Sequence, residues 1–599
     1  MGSLVLAAEA DPAAAREAAR RMLAAAPHRG DQTDLISFPG GAIGVSHRGT
    51  NRNESGIGRA GEHIAAFAGQ IDNIVSLARE HGIDTGPSTH PDGGTTARLL
   101  AAGFASEGVD LLRKLRGVFT VALAAPGEVV VARDQLGFKA LYHAERNGAA
   151  YFANEPHQVL AGASIPADPN MAFLHGSLFG QPEETDETAM TGVLRFPRAS
   201  WARVSNGAPR PVRYWDPSPL LEGSDMDADE ATEELAHRLQ AGIRRAVRGN
   251  EAVALSGGID SPIVAAYAAH PHMDSSGKPL KAISAVFPHL PDVDESKYIE
   301  KVVERYGLEW HPFVQKAKAM DDIELWVRRL GNPGKNLSIP EVAEMYQLAN
   351  SLGATTVFTG ELAEFVYAYH LDLLAYLMST LRLGAAGHHI RERRLRGQGW
   401  ASIARELGRS MAPSPLLYWW LRSGTRRALP PWIDFERLAG RNSPFDYPWA
   451  RRRWRQLEIA PAVSDFSQNL DDLDVVAEHC GVNVRMPIAD VDTWEFMISL
   501  PAEVKYPNPK RKTLVRQAMR GVLPDEILDR QDKTFFNSHM LETADYGSLQ
   551  RWILKTDFRL DGIDYDSLED HLAAQAMGPG ELDWVYDLAR IHAFIAQWE

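Results

Sequence analysis

The stretch Val253-Ala254-Leu255-Ser256-Gly257-Gly258-Ile259-Asp260-Ser261 decides the fold of the second half of the chain. An apolar run enters a Ser-Gly-Gly-x-Asp-Ser turn, and a helical run over residues 262–269 follows. Two glycines let the backbone approach a ligand closely, and the start of a helix offers unpaired N–H groups to an anion. The pattern predicts a strand, a pyrophosphate-binding loop and a helix. An ordinary strand–turn–helix glycine pair is the structural alternative.

The loop lacks the Gly-Lys-Ser ending of the Walker motif, so the lysine and hydroxyl chemistry of that motif is not expected. An aspartate inside an anion site would repel a bare polyphosphate, and a bridging Mg²⁺ resolves that conflict. Asp260 is therefore the first candidate metal ligand.

Further apolar runs alternate with helix-like segments around the loop. The runs Ala252–Leu255, Ala282–Phe287 and Thr355–Phe358 predict a parallel sheet with helices on both faces. The third run leads into Glu361 and Glu364. If the strands are parallel, the end of this run faces the same crevice as the loop. One glutamate is a candidate ligand of Mg²⁺ and the other a candidate proton acceptor; two solvated glutamates in an opening helical turn are the alternative.

A cluster of cations follows near the end of the chain, within Pro509–Arg516, and Arg530 and Lys533 come after it. A lysine that reaches the crevice would neutralise the charge that builds on a leaving pyrophosphate. For any single lysine, a plain surface charge is the alternative.

The 599 residues exceed the size of one hydrophobic core, so two or three domains are expected. Residues 1–215 contain many short β-like runs with helical stretches at Ala13–Ala25 and Thr96–Ala105, which predicts an α+β domain with antiparallel strands. Residues 216–229 are rich in Pro, Gly, Ser and Asp and have no apolar periodicity, which indicates a linker. The predicted domains are 1–215 and 230–599.

Residues 371–460 interrupt the strand–helix alternation as an insertion. They contain sixteen Arg, no Lys and seven acidic residues, a local charge of +9, and six of the 14 Trp. One interpretation is a helical insertion whose Arg side chains lie on a solvated face. The other is a basic, aromatic surface that docks a peptide or a partner protein.

Composition narrows the class of protein. A net charge of -15 disfavours a chain that wraps nucleic acid, and the single cysteine, Cys480, excludes a disulfide framework and any multi-cysteine metal site. The negative charge is the reason that no nucleic-acid partner is expected. We find no signal peptide and no run of about 20 apolar residues, so no membrane span is expected either. A cytoplasmic location is the expectation.

Together these residues resemble the asparagine synthetase family, whose members activate a carboxylate with ATP and then form an amide. The strings that support the resemblance lie in both halves: Pro27–Asp31, Leu115–Phe119, Ala132–Gly137, Tyr151–Glu155, Ser256–Ser261, Val484–Asp490 and Lys512–Arg516. The resemblance implies an Ntn-hydrolase-like αββα sandwich in the first domain, of the glutamine amidotransferase type. It implies a parallel-sheet ATP-pyrophosphatase domain in the second.

The chain departs from the family where a functional glutaminase would need its nucleophile. The family exposes a cysteine as the first residue of the mature chain, because its thiolate attacks the glutamine amide. Here Gly2 stands in that place, and the family's Asn-Gly-Glu segment appears as Ala68-Gly69-Gln70. The glutaminase is therefore predicted to be inactive and its domain to be a retained scaffold.

Without ammonia from glutamine, the amine must arrive on the substrate. Among the relatives that work in this way, the chain is most similar to the lasso peptide cyclases, by its length, its Arg- and Trp-rich insertion and the stretch Pro430-Pro431-Trp432. That resemblance implies a precursor peptide as substrate, with a leader peptidase and a leader-recognition protein as partners. An Asp or Glu side chain of the peptide would be adenylated and joined to its N-terminal amine as a macrolactam.

The resemblance also implies roles for individual residues. Mg²⁺ would lie between Asp260, Glu364 and the phosphates, Lys512 would stabilise the departing pyrophosphate, and Glu361 would take the proton of the attacking amine. The residues implied to bind ATP are Leu255, Ser256, Gly257, Gly258, Asp260, Ser261, Val286, Thr359 and Gly360.

Three alternatives remain open. A β-lactam synthetase acting on a small amino acid is the nearest enzyme, although Glu361 stands where those enzymes usually have tyrosine. An asparagine synthetase that uses free ammonia is the second. From a different class, a catalytically inactive scaffold is the third, and the intact loop weighs against it.

Overall fold

The structure is a computed structural model. It describes residues 2–49, 53–80, 82–83, 90–179, 186–204, 209–334, 338–367, 373–413, 415–416, 429–434, 467–530, 537–575 and 577–598.

The N-terminal half forms two stacked antiparallel sheets. Its strands are β1 (Ser3–Ala8), β2 (Gln32–Phe38), β3 (Gly41–His47), β4 (Ser55–Ala60), β5 (His63–Ile71), β6 (Gly117–Ala125), β7 (Glu128–Arg133), β8 (Tyr142–Arg146), β9 (Ala149–Ala153), β10 (Leu194–Arg195), β11 (Ser200–Arg203) and β12 (Val212–Arg213). One sheet has the order β10-β8-β9-β1-β3-β2 and the other β12-β11-β7-β6-β5-β4. Alternate side chains of both sheets, such as Leu4, Ile43 and Val131, form the apolar layer between them.

Helices cover the outer faces of both sheets. Pro12–Ala24 and Pro156–Ala163 pack on the first sheet, and Gly93–Glu107 packs on the second. The remaining helices of this half are Ile74–Glu80, Leu111–Lys114 and Met171–Phe179, with short 3-10 turns at Pro27–Arg29, Gly108–Asp110 and Ser218–Leu220. The order helix, sheet, sheet, helix confirms the predicted αββα sandwich.

The second half is built on a five-stranded parallel sheet. Its strands are β13 (Glu251–Ala254), β14 (Lys281–Val286), β15 (Glu309–Val314), β16 (Thr356–Phe358) and β17 (Asn483–Arg485), in the order β15-β14-β13-β16-β17. Every neighbouring pair is parallel, which confirms the predicted α/β domain. Strand β13 lies in the centre, so the loop after it opens at the middle of the sheet.

The helices of this half lie on both faces of the sheet and beyond its edge. They are Ala228–Ala246, Asp260–Ser276, Ser296–Tyr306, Ile323–Leu330, Ile339–Ser351, Ala363–Tyr367, Leu373–Ser379, Leu383–Leu395, Trp400–Met411, Ser467–His479, Val491–Ser499, Ala502–Lys505, Thr513–Ala518, Asp525–Asp529, Asn537–Thr543, Tyr546–Lys555, Tyr565–Ala574 and Pro579–Ile595. The helix Ala228–Ala246 begins inside the predicted linker, behind a capping box formed by Asp227 and Glu230. Within the ranges given above, every helix is too short or too polar to cross a lipid bilayer.

The two halves are joined by buried ion pairs. The helix Ser467–His479 presents Asp471, which accepts hydrogen bonds from Arg133 at 2.9 Å, Arg195 at 3.0 Å and Tyr142 at 2.9 Å. One turn further on, Asp474 meets Lys139 at 3.1 Å. These groups are almost fully buried, so each charge depends on its partner across the interface.

The predicted insertion, 371–460, is described only in part. Residues 373–411 form the helices Leu373–Ser379, Leu383–Leu395 and Trp400–Met411, and Ile433 forms a bridge with Ile563. Trp432 is fully buried, whereas Trp400 is 62% exposed with the guanidinium of Arg394 over its ring. Trp419, Trp420, Trp449 and Trp454 lie outside the described residues.

Candidate active site

The loop after β13 is held in shape by its own side chains. Ser261 Oγ accepts a hydrogen bond from the Ser256 N–H at 2.9 Å and lies 3.0 Å from Ser256 Oγ. Ser256 Oγ also accepts the Gly258 N–H at 3.4 Å. These bonds fold residues 256–261 into a compact turn, so less conformational entropy is lost when an anion binds.

Two glycines allow close approaches that a side chain would prevent. A Cβ atom on Gly360 would lie 2.4 Å from the Ser261 nitrogen, and one on Gly257 would lie 2.7 Å from Glu295 Cβ. The first contact brings the end of β16 against the start of the loop helix. The carboxyl ends of β13 and β16 therefore meet, as the sequence predicts.

A cavity of about 740 Å³ opens over these two strand ends. That volume lies in the range of small-molecule sites. The cavity is lined by most of the predicted site residues: Ser256, Gly257, Gly258, Asp260, Ser261, Thr359, Gly360, Glu361, Glu364 and Lys512.

The walls of the cavity differ in character. Six cations line it: Arg396, Lys510, Arg511, Lys512, Arg516 and Arg530. The helix Ile339–Ser351 contributes apolar groups, namely Val342, Met345 and the ring of Tyr346. The space thus joins an anion-binding region to a region that accepts an apolar group.

Lys512 lies between the two predicted metal ligands. Its Nζ is 2.6 Å from Asp260 Oδ2 and 3.8 Å from Glu364 Oε1. The Tyr367 hydroxyl donates to the other Asp260 oxygen at 3.0 Å. Lys512 has a φ of 59°, in the left-handed region that a lysine adopts at a cost of about 1–3 kcal/mol, which is typical of functional sites.

The donor set at this point fits Mg²⁺ that arrives with phosphates. Mg²⁺ is usually held by one or two carboxylates plus substrate phosphates. Asp260 and Glu364 supply two carboxylates beside the phosphate loop. In the part of the chain that the structure describes, no three His, Cys, Asp or Glu side chains converge to hold a metal on their own.

Glu361 is accessible from the cavity but surrounded by its walls. Its backbone N–H donates to Thr359 Oγ1 at 3.4 Å, and its side chain lines the cavity while remaining exposed to solvent. Desolvation by these walls raises the pKa of Glu361 to about 7. A carboxylate with such a pKa can accept a proton near neutral pH.

Two of the described sequence-predicted residues do not line this cavity. Leu255 is buried in the core, and its N–H donates to Ile283 O at 2.9 Å. Val286 ends β14 and is also buried. Neither lines the cavity, and their contact with a nucleotide stays a prediction. Lys533 lies outside the described residues.

Sequence reasoning missed several residues of the site. Tyr367 follows Glu364 by three positions in one helix. This spacing places both side chains on one helix face, so the sequence could have indicated that Tyr367 belongs to the site. Val342, Met345 and Tyr346 carried none, because their helix pattern is that of any core-packed helix. Glu295 comes nine residues after β14 ends, too far for the strand-end rule to select it.

The position at which the sequence leads us to expect the family's nucleophile, Gly2, is closed. A Cβ atom on Gly2 would lie 1.9 Å from Ser46 O and 2.6 Å from Ser55 Oγ. Atoms at these distances overlap, so the surrounding strands leave no room for a side chain. The thiol of Cys480 is buried, contacts Ala343 O at 3.6 Å, and has its pKa raised to about 11 by desolvation.

The Ala68-Gly69-Gln70 segment also serves the interface between the halves. Gln70 Nε2 donates to Glu54 Oε1 at 2.8 Å, and Arg485 donates to Gln70 Oε1. Arg485 belongs to β17 of the parallel sheet and pairs with Asp72 as well. In this structure the Gln70 amide is tied to the second domain.

Comparisons with known proteins agree with the fold. A putative asparagine synthetase (glutamine-hydrolyzing) of Mycobacterium tuberculosis is 31% identical over 218 residues, 34% of this chain and 33% of that protein. Asparagine synthetase (glutamine-hydrolyzing) 3 of Bacillus subtilis is 23% identical over 456 residues, 72% of this chain and 69% of that protein. The chain thus spans about a third of the mycobacterial relative that it matches.

A solved allosteric regulatory enzyme of purine biosynthesis is 11% identical, with a TM-score of 0.27 over 52% of this chain and 80% of that one. That similarity is too low to carry a conclusion. Family models are more informative. Residues 5–215 match the glutamine amidotransferase domain, and residues 234–598 match asparagine synthase. The second match covers more than half of the sequence, and the chain belongs to the asparagine synthase family.

Proposed function

We propose that this chain is an ATP-dependent amide-forming ligase that closes a macrolactam in a precursor peptide, as lasso peptide cyclases do. In this proposal an Asp or Glu side chain of the peptide is activated by the nucleotide with release of pyrophosphate, and AMP leaves when the amide forms. The N-terminal amine of the same peptide then captures the activated acyl group. Family membership supports the amide-ligase part, and the features of the two sites support the choice of substrate.

The closed position at Gly2 carries the proposal. A glutaminase of this family needs a nucleophile there, and the backbone of Ser46 occupies the space of its side chain. Cys480 does not replace it, because a buried thiol whose pKa is about 11 is largely protonated at neutral pH. The nitrogen must then come from another source, and a tethered amine has a high effective concentration.

The residues of the cavity have separate tasks in this chemistry. Bound at the loop with Mg²⁺ held by Asp260 and Glu364, ATP supplies a phosphorus centre that makes a carboxylate electrophilic. The Lys512 ammonium offsets the negative charge of the departing pyrophosphate. As the amine nitrogen bonds to the acyl carbon, its proton passes to the Glu361 carboxylate.

A peptide substrate also fits the surroundings of the cavity. Val342, Met345 and Tyr346 give an apolar wall beside Glu361, where water would otherwise hydrolyse the activated acyl group. Arg396 lines the cavity, and the neighbouring Leu395 and Trp400 of the insertion are exposed. The proposal includes a leader peptidase and a leader-recognition protein as partners. It also places the protein in the cytoplasm.

The test is a reconstitution with purified protein, ATP, Mg²⁺ and a linear precursor peptide supplied without its leader, so that the N-terminal amine that closes the ring is free. The proposal expects a product lighter than the peptide by one water, together with one AMP per ring. Glutamine should add nothing to the rate. AMP release that depends on glutamine and leaves the peptide unchanged would contradict it.

An amide ligase for a small acid is the second candidate. The names of the relatives favour this alternative, since both are called asparagine synthetases. A β-lactam synthetase belongs to the same candidate, because it also needs no peptide. AMP release driven by aspartate with ammonium, or ring closure of a short amino acid, would support this candidate over the peptide cyclase.

A further inference from the structure

A carboxylate occupies part of the phosphate loop in this structure. Glu295 Oε2 accepts the Gly257 N–H at 2.9 Å, and Glu295 Oε1 is 2.7 Å from Nη1 of Arg530. The same Arg530 nitrogen donates to Gly257 O at 3.0 Å. Both side chains are largely buried, with 13% of Glu295 and 10% of Arg530 exposed.

These are the contacts that a phosphate oxygen would take. Backbone N–H groups in a glycine loop bind anions, and a guanidinium binds carboxylate or phosphate oxygens with the same geometry. Glu295 therefore presents a carboxylate where the loop would present its donors to a nucleotide. Two anions cannot share one N–H and one guanidinium without strong repulsion.

Separate contacts hold the backbone beside Glu295 and the guanidinium of Arg530. The backbone beside Glu295 is fixed, because Asp294 Oδ1 accepts the Phe287 N–H at 2.9 Å and the Ser296 hydroxyl at 3.0 Å. The glutamate side chain itself is unbranched and rotates about its own bonds. Arg530 keeps a second support, since its guanidinium lies 4.5 Å from the ring centre of Tyr298.

We propose that Arg530 is a pyrophosphate-binding residue, and that Glu295 holds Arg530 and the Gly257 N–H in place until the nucleotide displaces its carboxylate. This inference rests on the proposed function, because it requires that the loop binds the pyrophosphate part of ATP. Glu295 is a positioning residue and Arg530 a contact residue. Without a ligand, the Glu295 carboxylate keeps the loop organised. When a phosphate binds, it must compete with that carboxylate for Arg530 and the Gly257 N–H.

Competition predicts a gain of affinity when the charge of Glu295 is removed. In E295Q the amide oxygen still accepts the Gly257 N–H, while the negative charge is gone. Calorimetric titration with inorganic pyrophosphate and Mg²⁺ should show binding about tenfold tighter than in the wild type. E300Q, which removes an exposed charge from the following helix, should bind like the wild type. A purely structural glutamate predicts the opposite, weaker binding in E295Q.

A second pair of variants separates direct contact from charge balance. R530M should bind pyrophosphate about tenfold more weakly than the wild type, and R530M should weaken binding again when made in the E295Q background. No effect of R530M in that background means that Arg530 only neutralises Glu295, which overturns its role as a contact residue. Equal or weaker binding in E295Q overturns the role of Glu295. If the wild type binds neither pyrophosphate nor ATP, the proposed function fails together with this inference.

Discussion

The two halves of the molecule each contain one candidate site, around Gly2 in the first half and around Gly257 and Gly360 in the second, and the two sites differ in how much space they leave. Around Gly2 the backbone of Ser46 takes the space of a side chain. Around Gly257 and Gly360 the backbone comes close too, but a cavity of about 740 Å³ remains above it. The comparison teaches that one site has been filled by its own fold while the other has kept both its cavity and its titratable groups.

The filled site belongs to a domain that the other half needs for its stability. Asp471 and Asp474 of the second half are buried among cations of the first. Burial favours the neutral form of Asp474, yet the charges of Lys139 and Arg29 hold its pKa below the ordinary value. A domain joined by such pairs cannot be deleted without leaving buried charges, so the second half depends on it for stability as well as for any chemistry.

The largest effect expected is on catalysis at the open site. Lys512→Ala should lower ATP–pyrophosphate exchange about a thousandfold, because it removes the cation nearest Asp260 and Glu364. The protein should stay folded with a lower thermal unfolding midpoint, since the Lys512 side chain is only 12% exposed and pairs with Asp260. Lys512→Arg, which keeps the charge, is the matched control and should retain part of the activity. Normal exchange by the alanine variant would remove Lys512 from the mechanism.

The interface prediction concerns stability. Asp471→Asn removes the buried carboxylate that pairs with Arg133 and Arg195 and should lower the free energy of unfolding by about 3–5 kcal/mol. Urea denaturation followed by tryptophan fluorescence measures it. Asp570→Asn at an exposed position should stay within about 0.5 kcal/mol of the wild type. Equal stability of both variants would show that the cross-domain pairs do not hold the halves together.

Glu361 sharpens the comparison through its pH dependence. Its carboxylate accepts a proton only when ionised, so amide formation should rise with pH and level off above the pKa of about 7. Glu361→Gln should lose this rising limb and form the amide about a hundredfold more slowly, with pyrophosphate exchange largely kept. Tyr346, on the apolar wall, offers a control in Tyr346→Phe, whose profile should keep the limb. Loss of exchange before amide formation would contradict the role as base.

The smallest effect expected is at the filled site. Gly2→Ala introduces a Cβ against Ser46 O and should destabilise the chain by about 1–3 kcal/mol. Gly2→Cys should release no glutamate from glutamine. Gly384→Ala, where the added carbon meets nothing within 4 Å, is the matched control and should be neutral or slightly stabilising. A Gly2→Cys variant that hydrolyses glutamine would show that the site can reopen.

Sequence reasoning succeeded where chemistry and chain order coincide. The string Ser256–Ser261 predicted the loop, and the apolar run before Glu361 predicted that β16 ends beside it. Both follow from the rule that parallel strands end at one edge of a sheet. The sandwich was reached through the resemblance of several short strings, because antiparallel strands of this length have weak periodicity on their own.

The rest depended on contacts between distant segments. The Lys512 side chain reaches Asp260 across 252 positions, and Arg530 reaches Gly257 across 273. No local pattern encodes such pairs. The closed space at Gly2 is equally invisible in the sequence: glycine there indicates a missing thiol, and only the position of Ser46 shows that the space for one is gone too.

The most direct test of the central claim follows the nitrogen. The wild-type protein is incubated with ATP, Mg²⁺, glutamine labelled with ¹⁵N in its amide, and the linear precursor peptide, and the product is analysed by mass spectrometry. The account predicts a peptide lighter by one water that contains no ¹⁵N, with the glutamine unchanged. An amide product that carries ¹⁵N, with glutamate formed alongside it, would contradict the account.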